Sequence, residues 1–426
     1  MIVAGIFLAL IVMICFNVPI AVALAISAIL GLLYIEGTGS LVTVALDMYD
    51  GSTKFSLIAI PMFVLAGAIM NAGGISKRLI AFVSALLGFI RGGLAMVNIG
   101  VSLFFAEISG SAVADVAATG SILIPAMKRK GYPGALAASV TSSSASLAII
   151  IPPSIPMILY AVSAETSVEQ LFVAGVVPGL IGAAGLMGVA YWFARRYNLP
   201  IEEAFNTGHL KRTFLDALPT FALPVIILGG IFGGIVTATE AAGLAVLASL
   251  VIGAYYRELD FKHLKEAMLD GGVQTAVVML LVAASVLMGG FLTRAQIPQD
   301  LAQAIIDFTD NKYVILLILN FLFLVIGFFL HSAAAIILVV PIIIPLIQQA
   351  GIDPIHFGLV VTLNLAIGQQ TPPVASVLIT ACSIARTNIW EVTKVNIYFI
   401  AVLLTVLMIC TYVPQVPLFL VELFYR

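Results

Sequence analysis

The chain has 426 residues, of which 62% are hydrophobic and only 9% charged, and its formal net charge is −2 at pH 7. Soluble domains carry roughly 25% charged residues and nucleic-acid-binding proteins need a basic surface, so this composition excludes both classes. A mean hydropathy of +1.17 and many apolar stretches near the ~20 residues that span hydrocarbon predict an all-α membrane protein.

Twelve apolar segments divide the chain into two halves of six. A polar stretch between them predicts a cytoplasmic linker, 200–216, that joins a first half, 1–199, to a second half, 217–426. Segments 2–16 and 18–33 are separated only by Asn17-Val18-Pro19, so one long tilted helix and two helices both fit them. The other segments lie near 57–72, 94–126, 134–163, 171–193, 217–232, 240–256, 272–292, 314–346, 356–381 and 396–421.

Segment 94–126 predicts a re-entrant hairpin that enters from the cytoplasm and returns there. Arg91 and Lys128 flank it, and basic loops stay in the cytoplasm. The segment is too long for one span, and its centre, from Glu107 to Asp115, is polar. Irregular backbone at that depth is tolerated only where it faces protein or a water-filled cavity. An acidic loop that holds Glu36, Asp47 and Asp50 is expected on the opposite face.

Proline spacing predicts an inverted repeat. Pro125 and the pair Pro152-Pro153 recur 220 positions later as Pro345 and the pair Pro372-Pro373. Each proline pair removes two backbone donors and breaks a helix, which predicts broken helices over 134–163 and 356–381. Such breaks at matching positions of two halves are typical of secondary transporters whose site lies at the repeat interface.

The second half repeats two further elements of the first. Segment 314–346 has a polar centre at His331-Ser332 and predicts a second hairpin that enters from the opposite face. Short amphipathic stretches precede both hairpins, near 75–90 and 297–309, and predict arms that lie along the membrane surface.

Oxygen atoms near the two breaks predict sodium sites. The prolines leave the carbonyls of Ala148 and Ile151 without helical partners, beside serine hydroxyls; an oxygen cage suits a hard cation rather than a transition metal. Close packing of helices through small residues is the alternative. The first site combines the hairpin tip with the break: Ser109, Gly110, Ser111, Ser144, Ala148, Ile151 and Pro153. The second uses Gly368, Thr371 and Pro373, near the Leu330-His331 tip.

Three ionisable residues are further candidates, because such residues at membrane depth are costly. Asp115 would attract a cation or hold the first tip by hydrogen bonds, and His331 is either a site residue or a structural one. Arg294 would clamp a substrate carboxylate with two parallel bonds or extend to the membrane interface. The cysteines Cys15, Cys382 and Cys410 lie singly in apolar segments and are interpreted as packing residues, so no cofactor is expected.

Several motifs resemble the large membrane subunit of a TRAP (tripartite ATP-independent periplasmic) transporter. They are Ser109-Gly110-Ser111 with Asp115, the Lys-Arg-Lys-Gly-Tyr run at 128–132, the Ile-Ile-Pro-Pro-Ser run at 150–154 and the Gln-Gln-Thr-Pro-Pro run at 369–373. The resemblance covers nearly the whole chain. Within this family the chain is most similar to the sialic-acid branch.

The resemblance implies a sodium-driven, elevator-type importer in the bacterial inner membrane. It also implies two partners, a small four-helix membrane subunit and a periplasmic substrate-binding protein. The hairpins and broken helices would move, and 2–33, 171–193, 217–256 and 396–421 would form the scaffold. The organic acid, sialic acid or alternatively a C4-dicarboxylate, would sit near Ser109, Ser111, Asp115, Arg294 and His331.

Two rival classes have less support. An intramembrane protease would need a Ser111–His331 dyad or an aspartyl site at Asp50, but Asp50 is expected in a loop, and the motifs of neither protease type are present. A purely structural membrane subunit would have no use for two polar hairpins.

Overall fold

A computed structural model describes residues 2–16, 18–109, 111–202, 205–372 and 375–425, and gives the backbone alone for residues 2–4, 7, 11, 15 and 105–109. Within these ranges the regular structure is helical, apart from one isolated bridge between Arg91 and Ile201. Nine of the described helices are long and apolar enough to cross a membrane, which confirms a multi-pass helical protein. They are Ile20–Ser52, Phe55–Ala72, Val168–Arg196, Thr207–Phe232, Ala238–Tyr255, Phe261–Arg294, Lys312–Phe329, Ser332–Gln349 and Ile389–Tyr412.

The N-terminal apolar stretch forms two helices, Ile2–Cys15 and Ile20–Glu36, which pack against each other. Pro19 is the N-cap of the second helix, and a proline ring cannot continue the helix before it. The single tilted helix is therefore excluded.

The prediction of an acidic loop after residue 33 is wrong. A short 3₁₀ turn, Gly37–Gly39, leads directly into the helix Ser40–Ser52. Its two acidic residues, Asp47 and Asp50, are three positions apart and so share one helix face. The spacing of Asp47 and Asp50 is therefore that of an amphipathic helix with one polar face.

Two other boundaries differ from the prediction. Residues 207–216 of the predicted linker are helical, because the Asn206 side chain accepts hydrogen bonds from the N–H groups of Gly208 and His209 and starts the helix there. The last predicted segment is two helices, Ile389–Tyr412 and Gln415–Tyr425. Pro414 separates them, since proline disfavours a helical conformation in the residue before it.

The two halves contain the same succession of four elements. In the first half these are the first arm, Ile75–Leu87; the first hairpin, Gly93–Ser109 with Ala112–Arg129; the first broken helix, Gly134–Ser146 with Ile155–Ser163; and Val168–Arg196. In the second half they are the second arm, Ile297–Phe308; the second hairpin, Lys312–Phe329 with Ser332–Gln349; the second broken helix, Pro354–Gly368 with Ser376–Ala385; and Ile389–Tyr412. The inversion of one half relative to the other, and the half boundaries at 199 and 217, stay predictions.

The first break packs closely against two glycines of the helix Val168–Arg196. A Cβ atom on Gly175 would collide with the carbonyl oxygen of Ile150, and one on Gly179 would lie 2.6 Å from Ile151 Cγ1. The break can therefore contact this helix only because both positions lack a side chain.

We expect Gly175→Ala to destabilise the protein by about 1–3 kcal/mol, the usual cost of overpacking a close contact. Gly188→Ala is the matched control, since a Cβ on Gly188 meets nothing within 4 Å and alanine is the better helix former. The measurement is the midpoint of thermal unfolding in detergent. Equal midpoints for the two variants would contradict the close contact at the break.

Candidate transport site

The tips of the two hairpins share one cavity of about 550 Å³, here named the tip cavity. Ser111 lines it from the first tip and His331 from the second. Gln274, in the middle of the helix Phe261–Arg294, lines it as well, and the remaining lining residues are apolar or small. The structure thus brings together two of the five predicted substrate contacts.

Four helices begin at the tip cavity. Ser111 is the N-cap of Ala112–Arg129 and His331 is the N-cap of Ser332–Gln349; neither side chain caps its helix. Ile155 and Pro156 form the start of the third helix, Ile155–Ser163, and Pro19 and Ile20 form the start of the fourth, Ile20–Glu36. Helix N-termini present free N–H groups and the positive end of the helix dipole, so the cavity favours an anionic group such as a carboxylate.

Asp115 lies in the first turn of Ala112–Arg129 and is fully buried. Among the described residues, neither of its carboxylate oxygens has a hydrogen-bond partner. Buried charges are normally paired or bound to a cation, and among the described residues the helix N-terminus beside Asp115 partly offsets its charge. This residue is consequently a strong candidate for attracting a cation.

A buried polar network joins the first hairpin to the first broken helix. The Asn98 side-chain amide donates to Thr141 Oγ1 at 2.7 Å, and Ser102 Oγ donates to Ser144 Oγ at 2.9 Å. Ser144 Oγ in turn donates to the Thr141 carbonyl at 3.2 Å. Ser144 was predicted as a sodium ligand, whereas Asn98, Ser102 and Thr141 were missed. In the sequence, Asn98 and Ser102 are four positions apart, and this spacing, which places both on one helix face, could have indicated them.

The carbonyls at the first break find partners within the protein. Ile149, which is followed four positions later by Pro153, accepts a hydrogen bond from Ser154 Oγ at 2.6 Å. The Leu147 carbonyl accepts the N–H groups of both Ile150 and Ile151. The predicted ligand residues Ala148 and Ile151 are buried beside this turn.

The second half has a related polar contact. The Asn364 side-chain amide donates to Asn320 Oδ1 at 2.7 Å, and the Asn320 amide donates to Thr411 Oγ1 at 3.0 Å. Asn98 and Asn320 are 222 positions apart, so both hairpins carry an asparagine that contacts the adjoining broken helix. These matched asparagines support a common origin of the two contacts in the repeat.

The predicted second sodium site lies where two helices touch. Gly368 contacts Gly327 of the second hairpin so closely that a Cβ on Gly368 would lie 2.6 Å from Gly327 Cα. The Gly368 carbonyl accepts from the Thr371 N–H at 2.9 Å, and Thr371 Oγ1 donates to the Ile367 carbonyl at 3.0 Å. Gly110, Pro373 and the side chain of Ser109 lie outside the described residues.

Arg294 does not line the tip cavity. Its guanidinium lies 3.3 Å from Glu36 Oε2 and 3.3 Å from Asp47 Oδ2. It faces a separate cavity of about 340 Å³, together with Asp50 and Lys54. A substrate carboxylate would have to displace two protein carboxylates to reach this side chain.

The comparison with protein families shows which family the chain belongs to. Residues 7–416 match the family described as "Tripartite ATP-independent periplasmic transporter, DctM component". The chain belongs to the DctM family of these transporters. Similar proteins are named as transporter permeases, which leaves the protease and structural alternatives without support.

The similar DctM-family proteins carry several substrate names. The chain is 39% identical to the "Isethionate TRAP transporter permease protein DctMQ" of Oleidesulfovibrio alaskensis, over 95% of this chain and 64% of that protein. It is 38% identical to the "C4-dicarboxylate TRAP transporter large permease protein DctM" of Pseudomonas aeruginosa, over 88% of each chain. The sialic-acid permease SiaM of Vibrio cholerae is 35% identical over 96% of each chain. The particular similarity to the sialic-acid branch is therefore not supported.

A solved structure shares the fold. The YdaH transporter of Alcanivorax borkumensis is 15% identical, with a TM-score of 0.64, over 89% of each chain. At this identity the similarity concerns the fold alone, and it agrees with a membrane transporter architecture.

We expect the Asn98–Thr141 contact to be measurable by a double-mutant cycle with Asn98→Ala and Thr141→Val. The coupling should be about 0.6 kcal/mol and at most about 1.7 kcal/mol, the range found for hydrogen bonds between membrane helices. The measurement is unfolding in detergent for the two single variants and the double variant. Fully additive effects would contradict a direct bond between the hairpin and the broken helix.

Proposed function

We propose that the chain is the large membrane subunit of a sodium-driven importer that moves an organic acid by an elevator mechanism. The observation that carries the proposal is the convergence of four helix N-termini on the tip cavity, two of them at the tips of hairpins that recur in both halves. Discontinuous helices that point their N-termini at an anionic substrate are a common design of secondary transporters.

Sodium is the coupling ion in this proposal. The unpartnered Asp115 carboxylate and the hydroxyls of Ser102 and Ser144 lie on the first hairpin and the first broken helix. Hydroxyl, carboxylate and carbonyl oxygens are ligands for hard cations. A sodium ion bound among them would offset the charge of Asp115 and tie the tip to the break, which would complete the tip cavity.

The lining of the tip cavity favours a hydroxylated acid with one carboxylate. None of the described residues that line it is lysine or arginine, so His331 is the one basic side chain among them and a second carboxylate would have no basic partner. Gln274 offers both a donor and an acceptor and would contact a hydroxyl or carbonyl group of the substrate. We therefore place sialic acid ahead of a C4-dicarboxylate as the candidate.

The packing suggests a larger moving unit than the hairpins and broken helices alone. Ser139 Oγ donates to the Val392 carbonyl at 3.2 Å, and Ser143 Oγ lies 2.8 Å from Asn396 Oδ1. Together with the Gly175 contact, these bonds join Val168–Arg196 and Ile389–Tyr412 to the broken helices. We therefore assign both helices to the moving unit, although 171–193 and 396–421 were predicted as scaffold.

The remaining helices would form the scaffold and meet the partners. The family description is of a tripartite transporter, which supports a small membrane subunit and a periplasmic substrate-binding protein as partners. The family implies the bacterial inner membrane, and the clusters of basic residues support an orientation with those loops in the cytoplasm.

The direct test is uptake into liposomes that contain this chain and its small subunit, with binding protein outside. Sialic acid, a C4-dicarboxylate and isethionate are compared, each with an inward sodium gradient and with the gradient replaced by potassium. Uptake of an acid that depends on both sodium and the binding protein is expected. Uptake that proceeds equally without sodium would contradict the coupling.

Asp115→Asn should raise the sodium concentration for half-maximal uptake about tenfold or more, because a charged ligand binds more strongly than a neutral amide. Asp310→Asn is the control, since Asp310 is exposed in the turn before the second hairpin. Initial uptake rates across a sodium titration provide the measurement. An unchanged sodium curve in Asp115→Asn would remove this carboxylate from the ion site.

Gln274→Leu should lower the rate of uptake of a hydroxylated acid about tenfold, because a polar group of the substrate would lose its partner, and should leave the sodium activation curve unchanged. Gln348→Leu makes the same change at an exposed helix end. Both variants are assayed with saturating loaded binding protein. Wild-type rates in Gln274→Leu would exclude contact with the substrate.

A further inference from the structure

Two arginines near the starts of the two arms are each bound by two carboxylates. Arg78, in the first arm, lies 2.9 Å from Glu258 Oε1 and 3.6 Å from Asp216 Oδ2. These three residues are named the first anchor. Arg294 lies 3.3 Å from both Glu36 and Asp47, and these three form the second anchor.

One glutamate of each anchor is related by the repeat. Glu36 and Glu258 are 222 positions apart, and each binds the arginine next to the start of an arm. The N-cap residues of the arms, Gly74 and Gln296, are also 222 positions apart and both have a left-handed backbone, with φ of 70° and 57°. A non-glycine residue is disfavoured in that region, so Gln296 keeps the same turn before the second arm despite that cost.

The anchors lie at opposite ends of one helix. Phe261–Arg294 has 34 residues and at 1.5 Å per residue is about 51 Å long, more than the 40–45 Å of a whole bilayer. Glu258 lies just before its first residue and Arg294 is its last. One anchor is therefore at each membrane face, and this long helix forms a rigid connection between them.

The first anchor has additional contacts that fix its geometry. The Arg78 guanidinium lies 3.7 Å from the centre of the Tyr256 ring. Tyr256 donates its hydroxyl to the Asp216 carbonyl at 2.7 Å; burial raises the pKa of this phenol, so it keeps the proton it donates. The planar guanidinium can stack and bind carboxylates at the same time, which an ammonium group cannot reproduce.

We propose that the two anchors are the pivots of the arms, and that Arg78 and Arg294 are positioning residues that fix each arm start to the long helix while the hairpins move. This inference rests on the proposed transport function. Both anchors are closed in the same structure, as expected for fixed pivots and unlike latches that would open and close in turn. Arg78 lies remote from the tip cavity, and it acts on the substrate only through the arm.

The test compares Arg78→Gln with the charge exchange Arg78→Glu plus Glu258→Arg in the reconstituted transporter. Arg78→Gln should lower the maximal uptake rate roughly fivefold to tenfold, in the range of mutations that alter coupling between distant sites. The substrate and sodium concentrations for half-maximal uptake should stay at their wild-type values, and the charge exchange should restore part of the rate. Lys77→Gln is the control: Lys77 is the neighbouring cation, its side chain is 77% exposed, and it lies 3.7 Å from Glu258.

Arg78→Lys keeps the test decisive if Arg78→Gln does not assemble. It retains the charge but loses the planar fork, and its rate should lie between those of wild type and Arg78→Gln. An uptake rate equal to wild type in Arg78→Lys and Arg78→Gln, or a charge exchange no better than Arg78→Gln, would overturn the pivot. A shift in half-maximal sodium or substrate concentration with an unchanged maximal rate would overturn it as well.

A readout independent of uptake separates this inference from the proposed function. A cysteine replacing Ala333, which lines the tip cavity, is labelled with a thiol reagent from each membrane face. Slower labelling from one face in Arg78→Gln would support the pivot even if no acid were transported by the wild type. Equal labelling rates with and without Arg78, in a protein that does transport, would overturn the pivot while leaving the proposed function in place.

Discussion

The structure depends on one constraint: the hydrocarbon core offers no partner to a broken backbone, so the freed groups must be satisfied by the protein or face a water-filled cavity. Pro152-Pro153 releases carbonyls in the middle of the first broken helix. Ser154 Oγ donates a hydrogen bond to the Ile149 carbonyl. Because Gly175 has no side chain, the neighbouring helix can pack directly against Ile150. The break is thereby held by contacts within the protein, and the helix after it begins at the tip cavity.

The same constraint explains the charge distribution around the cavity. Four helix N-termini bring partial positive charge to the tip cavity without any lysine or arginine among the described lining residues. Partial charges on backbone N–H groups bind an anion less strongly than a full ion pair would. That weakness suits a transporter, because the bound anion must be released. Asp115 is buried four residues after Ser111, and in the proposed function a cation bound there would balance its charge.

Much of the fold could be predicted because prolines and long apolar stretches act locally. The hairpin tips, the arms and the breaks lie where Ser111, His331, Ile75 and Pro152 indicated. The helix at Asp47 was missed because an amphipathic helix with two acids resembles a loop in composition. The pairing of Arg294 was missed for another reason: Glu36 lies 258 positions away in sequence, and contacts of that range have no local signal. The hydrogen bond between Asn98 and Thr141 was missed because it forms only when the hairpin packs against the broken helix.

The central claim is that the tip cavity holds the transported anion and opens to each face in turn. The most direct measurement is thiol labelling of a cysteine that replaces Ala334, which lines this cavity, in right-side-out and inside-out vesicles. The account predicts labelling from both faces, and protection when sodium and the transported acid are present together. Labelling from one face only under all conditions, or labelling that the acid and sodium do not change, would contradict it.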